Sequence, residues 1–166
     1  MSRDPLQRSH PAELFSAAEI RAREGFMAHP EITHAALQRQ EESFARAFTS
    51  ADLEVARPLY HPEVVYLSPT VRLFDWPERI EGIDPTLEFI RLTIRGLDEI
   101  GYCAVEKTVL PDYGSAFVRI HFDWTHKGHR LRSNYVVLYR YRDGLVAQQE
   151  LYYDPSAKPE LLSASP

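Results

Sequence analysis

The sequence predicts an α+β fold in which helices cover one face of a curved antiparallel sheet. The main observation is that residues 115–154 alternate apolar and polar side chains in three consecutive stretches, the period-two pattern of strands. Tight turns at Lys127-Gly128 and Asp143-Gly144 join these stretches, because Gly accepts the positive φ that hairpin turns require. The second observation is that helical segments with one strand among them precede this region, an order typical of α+β domains.

The chain length suits one domain. A chain of 166 residues can bury a substantial core but is too short for two comfortable domains. Residues 1–30 are expected to form an N-terminal extension with a short helix after Pro11, because helix formers with interspersed apolar residues follow it. The domain itself is expected over residues 31–156, followed by a flexible tail at residues 157–166.

A long helix is predicted from Pro30 to about Thr49, because Pro fits the first turn of a helix. Its apolar residues recur near helical spacing, at Leu37, Phe44 and Phe48. Asp52 then starts a short second helix as a capping residue.

The first strand is predicted at residues 64–68, with Val64, Tyr66 and Ser68 on one face. The segment 70–82 fits no regular element and is predicted to be a long loop, which in many proteins forms a lid or binding loop. Alternatively, Phe74 and Trp76 simply hold this loop against the core. A helix follows from Asp84-Pro85, a cap and a first-turn proline, to Gly96 or Leu97.

The remaining strands complete the predicted sheet. A strand at residues 102–109 leads through the turn 111–114 into the three alternating stretches. The first stretch has an apolar face, which consists of Val118, Ile120, Phe122 and Trp124. Neither face of the last two strands is wholly polar, so helices are expected to cover one side and a partner subunit part of the other.

Composition excludes several classes of function. The net charge of −5 and the absence of a Lys/Arg cluster argue against nucleic-acid binding, which needs a basic surface. Cys103 is the only cysteine, so an intramolecular disulfide and a thiolate metal cluster are excluded, and Cys103 is expected to be a buried apolar residue of a strand. There is no membrane-spanning apolar run and no signal-like start, so a cytoplasmic protein that binds no membrane is expected.

The sequence contains no strong local motif for catalysis or for a cofactor. It lacks a glycine-rich phosphate loop, HExxH and GxSxG. Of the histidines, His126 and His129 flank a hairpin tip, where solvated side chains are commoner than a metal site, so no metal and no cofactor are expected. Arg119, His121 and Asp123 form a polar ladder that suits either acid/base chemistry or a solvent-facing or subunit-facing surface.

Four segments in order resemble a known family: FARAFTSADLE, ARPLYHPEVVYLSP, EGIDPTLEFI and SNYVVLYRYRDGLVAQQELYYDP. Together they resemble the SnoaL-like branch of the nuclear transport factor two-like superfamily, which includes polyketide cyclases, ketosteroid isomerases and limonene epoxide hydrolase. The resemblance covers roughly residues 33–155. It implies a cone-shaped barrel, in which long helices close a concave sheet over an interior pocket, and homodimers that pair through the convex face.

The resemblance does not carry over the catalytic residues of these enzymes. The isomerase base falls on Ser68, its oxyanion-hole tyrosine on Phe44 and its protonated aspartate on Val137. The epoxide hydrolase carboxylate falls on Leu151, and its Arg-x-Asp pair falls on the apolar face of residues 118–124. An apolar group neither accepts nor donates a proton, so neither acid/base mechanism is expected here.

Two hypotheses about function remain open. In the first, the pocket binds a compact apolar or aromatic small molecule and catalyses its isomerisation, cyclisation, dehydration or hydrolysis; in the second, the domain is a non-catalytic ligand-binding or dimerisation module. Tyr66, Ser68 and Tyr135 are the catalytic candidates, with Asp75 or Glu78 of the loop as further hydrogen-bonding groups. The ligand-binding candidates are Phe44, Tyr66, Ser68, Trp76, Phe89, Phe122, Trp124, Tyr135, Tyr139, Gln149 and Tyr153.

Overall fold

The computed structural model describes residues 31–164. The α-helices are α1 (His34–Thr49) and α2 (Ile83–Ile94), and short 3-10 helices span Leu53–Leu59, Pro69–Leu73 and Pro111–Tyr113. The strands are β1 (Tyr60–Leu67), β2 (Ile80–Glu81), β3 (Asp98–Leu110), β4 (Ser115–His126), β5 (His129–Arg142), β6 (Leu145–Tyr152) and β7 (Glu160–Ala164). The predicted extension at residues 1–30, with its short helix, lies outside the described residues.

Local sequence explains where the helices begin. Helix α1 begins at His34 because the Thr33 side chain accepts a hydrogen bond from the Ala36 backbone N–H, at 3.1 Å. The start predicted at Pro30 is therefore wrong by one turn. Helix α2 follows Gly82, which has φ 90°. Neither described helix is both long and apolar enough to cross a bilayer.

The strands form one curved, open sheet in the order β2-β1-β6-β5-β4-β3. From β3 to β6 the sheet is the predicted antiparallel meander, but β1 pairs with β6 in parallel, for example at Tyr66 opposite Gln149. Strand β6 is the last strand of the meander, and β1, which comes earlier in the chain, pairs along its outer edge. The segment 70–82 was predicted to have no regular structure. It contains most of a 3-10 helix and strand β2, so this prediction is wrong for those residues.

Two strands, β6 and β7, pair with different parts of the same edge of β5. Residues 136–142 pair with β6, and residues 129–132 pair with β7, so residues 133–135 belong to neither ladder. Strand β7 lies within the segment 157–166, which was predicted to be a flexible tail. The sequence does not show this strand, because its pairing with β5 is not joined by a hairpin turn.

Turn chemistry and burial otherwise follow the sequence closely. Both predicted hairpins are confirmed, since Lys127, Gly128, Asp143 and Gly144 all have φ between 51° and 77°. The prediction for Cys103 is wrong: its side chain is exposed, because it lies on the face of β3 that points away from the helices.

Helices α1 and α2 cover the concave face of the sheet. On α1, the Phe44 ring stacks on Tyr139 of β5, with centroids 6.0 Å apart. On α2, Phe89 packs against Tyr66 of β1, also at 6.0 Å. These aromatic contacts fill part of the space between the helices and the sheet, and a cavity remains open beside them.

Candidate functional site

A cavity of about 300 Å³ lies between the two helices and the concave face of the sheet. Its walls are mainly apolar, with a few hydroxyl groups. It is lined by Phe48, Tyr66, Ser68, Thr70, Leu73, Phe74, Ile90, Thr93, Ile94, Leu97, Phe122, Trp124, Ser133, Tyr135, Leu151, Tyr153 and Pro155.

Strand alternation places the sheet residues of this cavity. Phe122 of β4 is paired with Ser133 of β5, and Ile120 with Tyr135, so these side chains share the concave face. Tyr153 follows β6 and lies against Tyr135, with ring centroids 5.5 Å apart. The aromatic rings therefore form a continuous wall beside residues 133–135 of β5, which pair with β4 alone.

Three of the seven hydroxyl groups that line the described cavity belong to tyrosines. Tyr66 is 5% exposed, and Tyr135 and Tyr153 are half-buried. Ser68 lies within hydrogen-bonding reach of Tyr66 and Tyr153 and lowers the pKa of both hydroxyls, which partly offsets the effect of burial. The Tyr135 hydroxyl has no hydrogen-bond partner among the described residues. Ser68 also accepts a hydrogen bond from the Thr70 backbone N–H at 3.3 Å. The Tyr135 hydroxyl and the cluster of Tyr66, Ser68 and Tyr153 can therefore be directed at a ligand.

Burial fixes the protonation state of the tyrosines. It raises the pKa of Tyr66, Tyr135 and Tyr153 above the ordinary value for tyrosine, and the proximity of Tyr153 raises the pKa of Tyr66 further. All three are protonated donors near neutral pH. No Asp, Glu, His, Lys or Arg among the described residues lines the cavity. The cavity can polarise a carbonyl group, but its lining offers no ordinary general base.

The structure brings six of the predicted ligand-binding residues to the cavity wall: Tyr66, Ser68, Phe122, Trp124, Tyr135 and Tyr153. The other five lie behind the wall: Phe44, Trp76, Phe89, Tyr139 and Gln149. Neither Asp75 nor Glu78 lines the cavity.

The residues behind the wall support it. Phe89 contacts Trp76 at 5.1 Å and Phe74 at 6.1 Å, so both rings of the 70–82 segment are held against the core, and Phe74 also lines the cavity. Gln149 accepts a hydrogen bond from the Tyr60 hydroxyl at 2.6 Å.

A buried carboxyl group, Glu41 of α1, was missed in the sequence. Glu41 is 2% exposed and accepts hydrogen bonds from the Tyr102 hydroxyl at 2.7 Å and from the Gln40 amide at 3.2 Å. The polar neighbours of Glu41 along the chain suggested a solvated face. Its helical spacing from Leu37 and Phe44 was the signal that placed it on the buried stripe.

Glu41 is next to the cavity wall but does not line it. Burial raises its pKa above the ordinary value for glutamate, partly offset by Tyr102, Gln40, the nearby Tyr139 hydroxyl and the positive charge of Lys107. The buried Tyr139 hydroxyl makes no hydrogen bond of good geometry. The Tyr102 ring stacks on Phe48, a cavity residue, at 5.1 Å, so one side chain separates this polar network from the cavity.

The polar ladder on β4 does not form an acid/base site. Arg132 of β5 donates two hydrogen bonds to Asp123, at 2.7 and 2.9 Å, and holds the pKa of that carboxyl below its usual range. Arg119 is paired with Glu106 at 3.1 Å. The Asp123 carboxylate therefore orients an arginine rather than His121. Within residues 31–164, no three His, Cys, Asp or Glu side chains are close enough together to hold a metal ion.

The fold and the cavity define an α+β protein of the nuclear transport factor two-like class, with an interior apolar pocket bordered by hydroxyl groups. The sequence profile of the SnoaL-like domain matches residues 41–149, well over half of the chain. The chain belongs to the SnoaL-like domain family, as the sequence resemblance predicted.

Solved structures confirm the cone-shaped fold. A nuclear transport factor two-like protein from Anabaena variabilis is 10% identical, with TM-score 0.64, and the match covers 80% of this chain and 96% of that one. A protein with a ketosteroid isomerase-like fold from Catenulispora acidiphila, in complex with trimethylamine, is 12% identical. Its TM-score is 0.59, and the match covers 75% of this chain and 89% of that one. An LEH-like epoxide hydrolase from Mycobacterium tuberculosis is 15% identical, with TM-score 0.55, and the match covers 72% of this chain and 84% of that one. A comparison with curated protein sequences finds no match.

Proposed function

We propose that the cavity binds a compact apolar or aromatic molecule that carries a hydrogen-bond acceptor such as a ketone oxygen. The observation that carries this proposal is the set of three protonated tyrosine hydroxyls in an apolar cavity, of which Tyr135 has no hydrogen-bond partner among the described residues. Each hydrogen bond that such a hydroxyl donates to a bound acceptor contributes about 0.5–1.5 kcal/mol net. A volume of about 300 Å³ suits a two-ring molecule, at the lower end of ordinary ligand pockets.

The chemistry that this site favours is stabilisation of negative charge on the bound oxygen. Hydroxyl donors around a carbonyl strengthen their hydrogen bonds as the oxygen becomes more negative, which lowers the barrier to enolisation, cyclisation or dehydration. Because the described cavity lining lacks a carboxylate or an imidazole, the proton is removed by water or by the substrate's own groups. The SnoaL-like family and the epoxide hydrolase neighbour support an enzymatic role.

The second candidate is a non-catalytic binding module, and the same absence of a base on the described cavity wall favours it. Exchange of the methyl protons of 2-acetylnaphthalene in D₂O separates the two candidates, since an enzyme that stabilises the enolate accelerates the exchange. Binding of the ketone without faster exchange would support the module.

The ketone 2-acetylnaphthalene is expected to bind more tightly than 2-ethylnaphthalene, by roughly three- to tenfold, because only the ketone accepts a hydrogen bond from the tyrosines. Quenching of the fluorescence of Trp124, a cavity residue, measures both affinities. The variant Tyr135→Phe is expected to lose most of the ketone preference. Tyr152→Phe, at an exposed position on the opposite face of the sheet, is the matched control and is expected to keep it. Equal affinities for the two probes in the unmodified protein would refute the proposed role of the hydroxyls.

We also propose that the convex face of the sheet pairs with a second copy of the chain. Phe117 of β4 is 39% exposed and Tyr152 of β6 is 50% exposed. On the convex face, Phe117 lies opposite Leu138 of β5, and Tyr152 lies opposite Val136 of β5. Large exposed apolar side chains on neighbouring strands favour an interface over a solvated surface.

Phe117→Arg is therefore expected to convert the dimer to a monomer in analytical ultracentrifugation, because it places a charge in the centre of an apolar contact. The matched control is Leu161→Arg on β7, where an equally apolar side chain is 58% exposed away from this patch. The control is expected to remain dimeric. An unmodified protein that sediments as a monomer at micromolar concentration would contradict the pairing.

A further inference from the structure

A second depression, called the α2 groove here, lies beside the cavity. It has a volume of about 570 Å³ and is walled by Trp76, Leu92 and Ile100, with Arg91, Arg95 and Glu88 as its charged side chains. Ile94 and Leu97 line both the cavity and the groove. The two spaces are therefore direct neighbours, with these two side chains between them.

Helical spacing explains the arrangement. Ile90, Thr93, Ile94 and Leu97, from α2 and the turn after it, line the cavity. Glu88, Arg91, Leu92 and Arg95 recur at helical spacing on the adjacent face and line the groove. The faces meet where α2 ends. There Gly96, at φ 80°, has no atom within 4 Å of the position that a Cβ would take, so the space beside the turn is open.

Charge distinguishes the groove from the cavity. No described residue forms an ion pair or a hydrogen bond with the Arg95 side chain, which is exposed. Arg91 has only a 3.4 Å contact with Glu54, and both side chains are more than half exposed. Glu88 is the one acidic residue among the groove residues. The groove thus combines apolar walls with an excess of positive charge, next to a cavity without charged walls.

We propose that the ligand is amphipathic, with its apolar acceptor-bearing head in the cavity and a tail that passes Leu97 and ends in a carboxylate at Arg95. This inference rests on the proposed function of the cavity and adds the chemical class of the ligand. A guanidinium group matches a carboxylate with two parallel hydrogen bonds, so Arg95 selects acids over neutral compounds of the same shape. Arg91 adds positive charge near the same end.

The test compares 5-(2-naphthyl)-5-oxopentanoate with its methyl ester, which has the same head and tail but no charge. The acid is expected to bind about fivefold more tightly than the ester at low salt, and the advantage is expected to shrink as salt is raised. Arg95→Gln is expected to remove the advantage while ester binding is unchanged. Arg72→Gln is the control, because Arg72 is equally exposed and without a partner among the described residues but does not line the groove.

Each outcome has a distinct meaning. Equal binding of acid and ester, or an acid advantage that survives Arg95→Gln, overturns this inference and leaves the proposed function intact. Failure of both probes to bind overturns the proposed function as well.

Discussion

Glu41→Gln is expected to stabilise the protein at pH 8, by on the order of 2 kcal/mol, and to change its stability little near pH 4. Burial raises the pKa of Glu41 in the folded state above its unfolded value. The stability that the neutral carboxyl contributes is therefore present below the unfolded pKa and is lost as pH rises through the folded pKa. Glutamine stays neutral at every pH. It keeps an oxygen for the Tyr102 hydroxyl and offers an amide proton to the unpaired Tyr139 hydroxyl.

Thermal unfolding of the unmodified protein and of the Glu41→Gln variant between pH 4 and pH 9 measures this pH-dependent difference in stability. The titratable groups that interact with Glu41 are Tyr60, Tyr102, Tyr135, Tyr139, Tyr141 and Lys107, and Lys107 is the one cation among them. The matched control is Glu42→Gln on the same helix, where the side chain is exposed, and it is expected to show no pH-dependent gain. A Glu41→Gln variant that is less stable than the unmodified protein at pH 8 would mean that the ionised carboxylate stabilises the fold.

Phe89→Ala is expected to cost about 3–5 kcal/mol of unfolding free energy, the usual range for removing a fully buried ring. Phe89 has no exposed surface, and its ring packs against Tyr66, Phe74 and Trp76. Urea denaturation measures the loss. Leu161→Ala, at a 58% exposed position on β7, is the control and is expected to cost much less.

Phe89→Ala is also expected to weaken ketone binding, because Tyr66 and Phe74 then lose the ring that holds them at the cavity wall. Phe89→Leu keeps most of the buried volume and allows binding to be measured if the alanine variant does not fold. Unchanged affinity in Phe89→Leu and in a folded Phe89→Ala would show that this core ring does not position the wall.

Local sequence determines much of the sheet and its concave face. The alternation in β4 and β5 predicts which side chains share a face with Phe122 and Tyr135, because side-chain direction repeats every two residues. The Gly128 and Gly144 turns fix the hairpins. The parallel pairing of β1 with β6 was not predicted, because it joins segments about eighty residues apart that no turn connects.

The candidate site is less accessible to sequence reasoning because alternation gives the face of a side chain but not its depth in the cone. Tyr135 and Tyr139 share one face of β5, yet Tyr135 reaches the cavity whereas Tyr139 is covered by Phe44. Glu41 was missed because a buried carboxyl group is rare and depends on a distant donor, Tyr102. Cys103 was misplaced because β3 lacks a clear apolar alternation.

The most direct test of the central claim is the ¹³C chemical shift of the carbonyl carbon of labelled 2-acetylnaphthalene bound to the protein. Hydrogen bonds from the tyrosine hydroxyls withdraw electron density from that carbon, so the bound resonance is expected downfield of its position in hexane. In Tyr135→Phe the resonance is expected to move back towards the hexane value. A bound resonance at the hexane position in the unmodified protein would contradict the account, because the ketone would then occupy the cavity without contacting its hydroxyls.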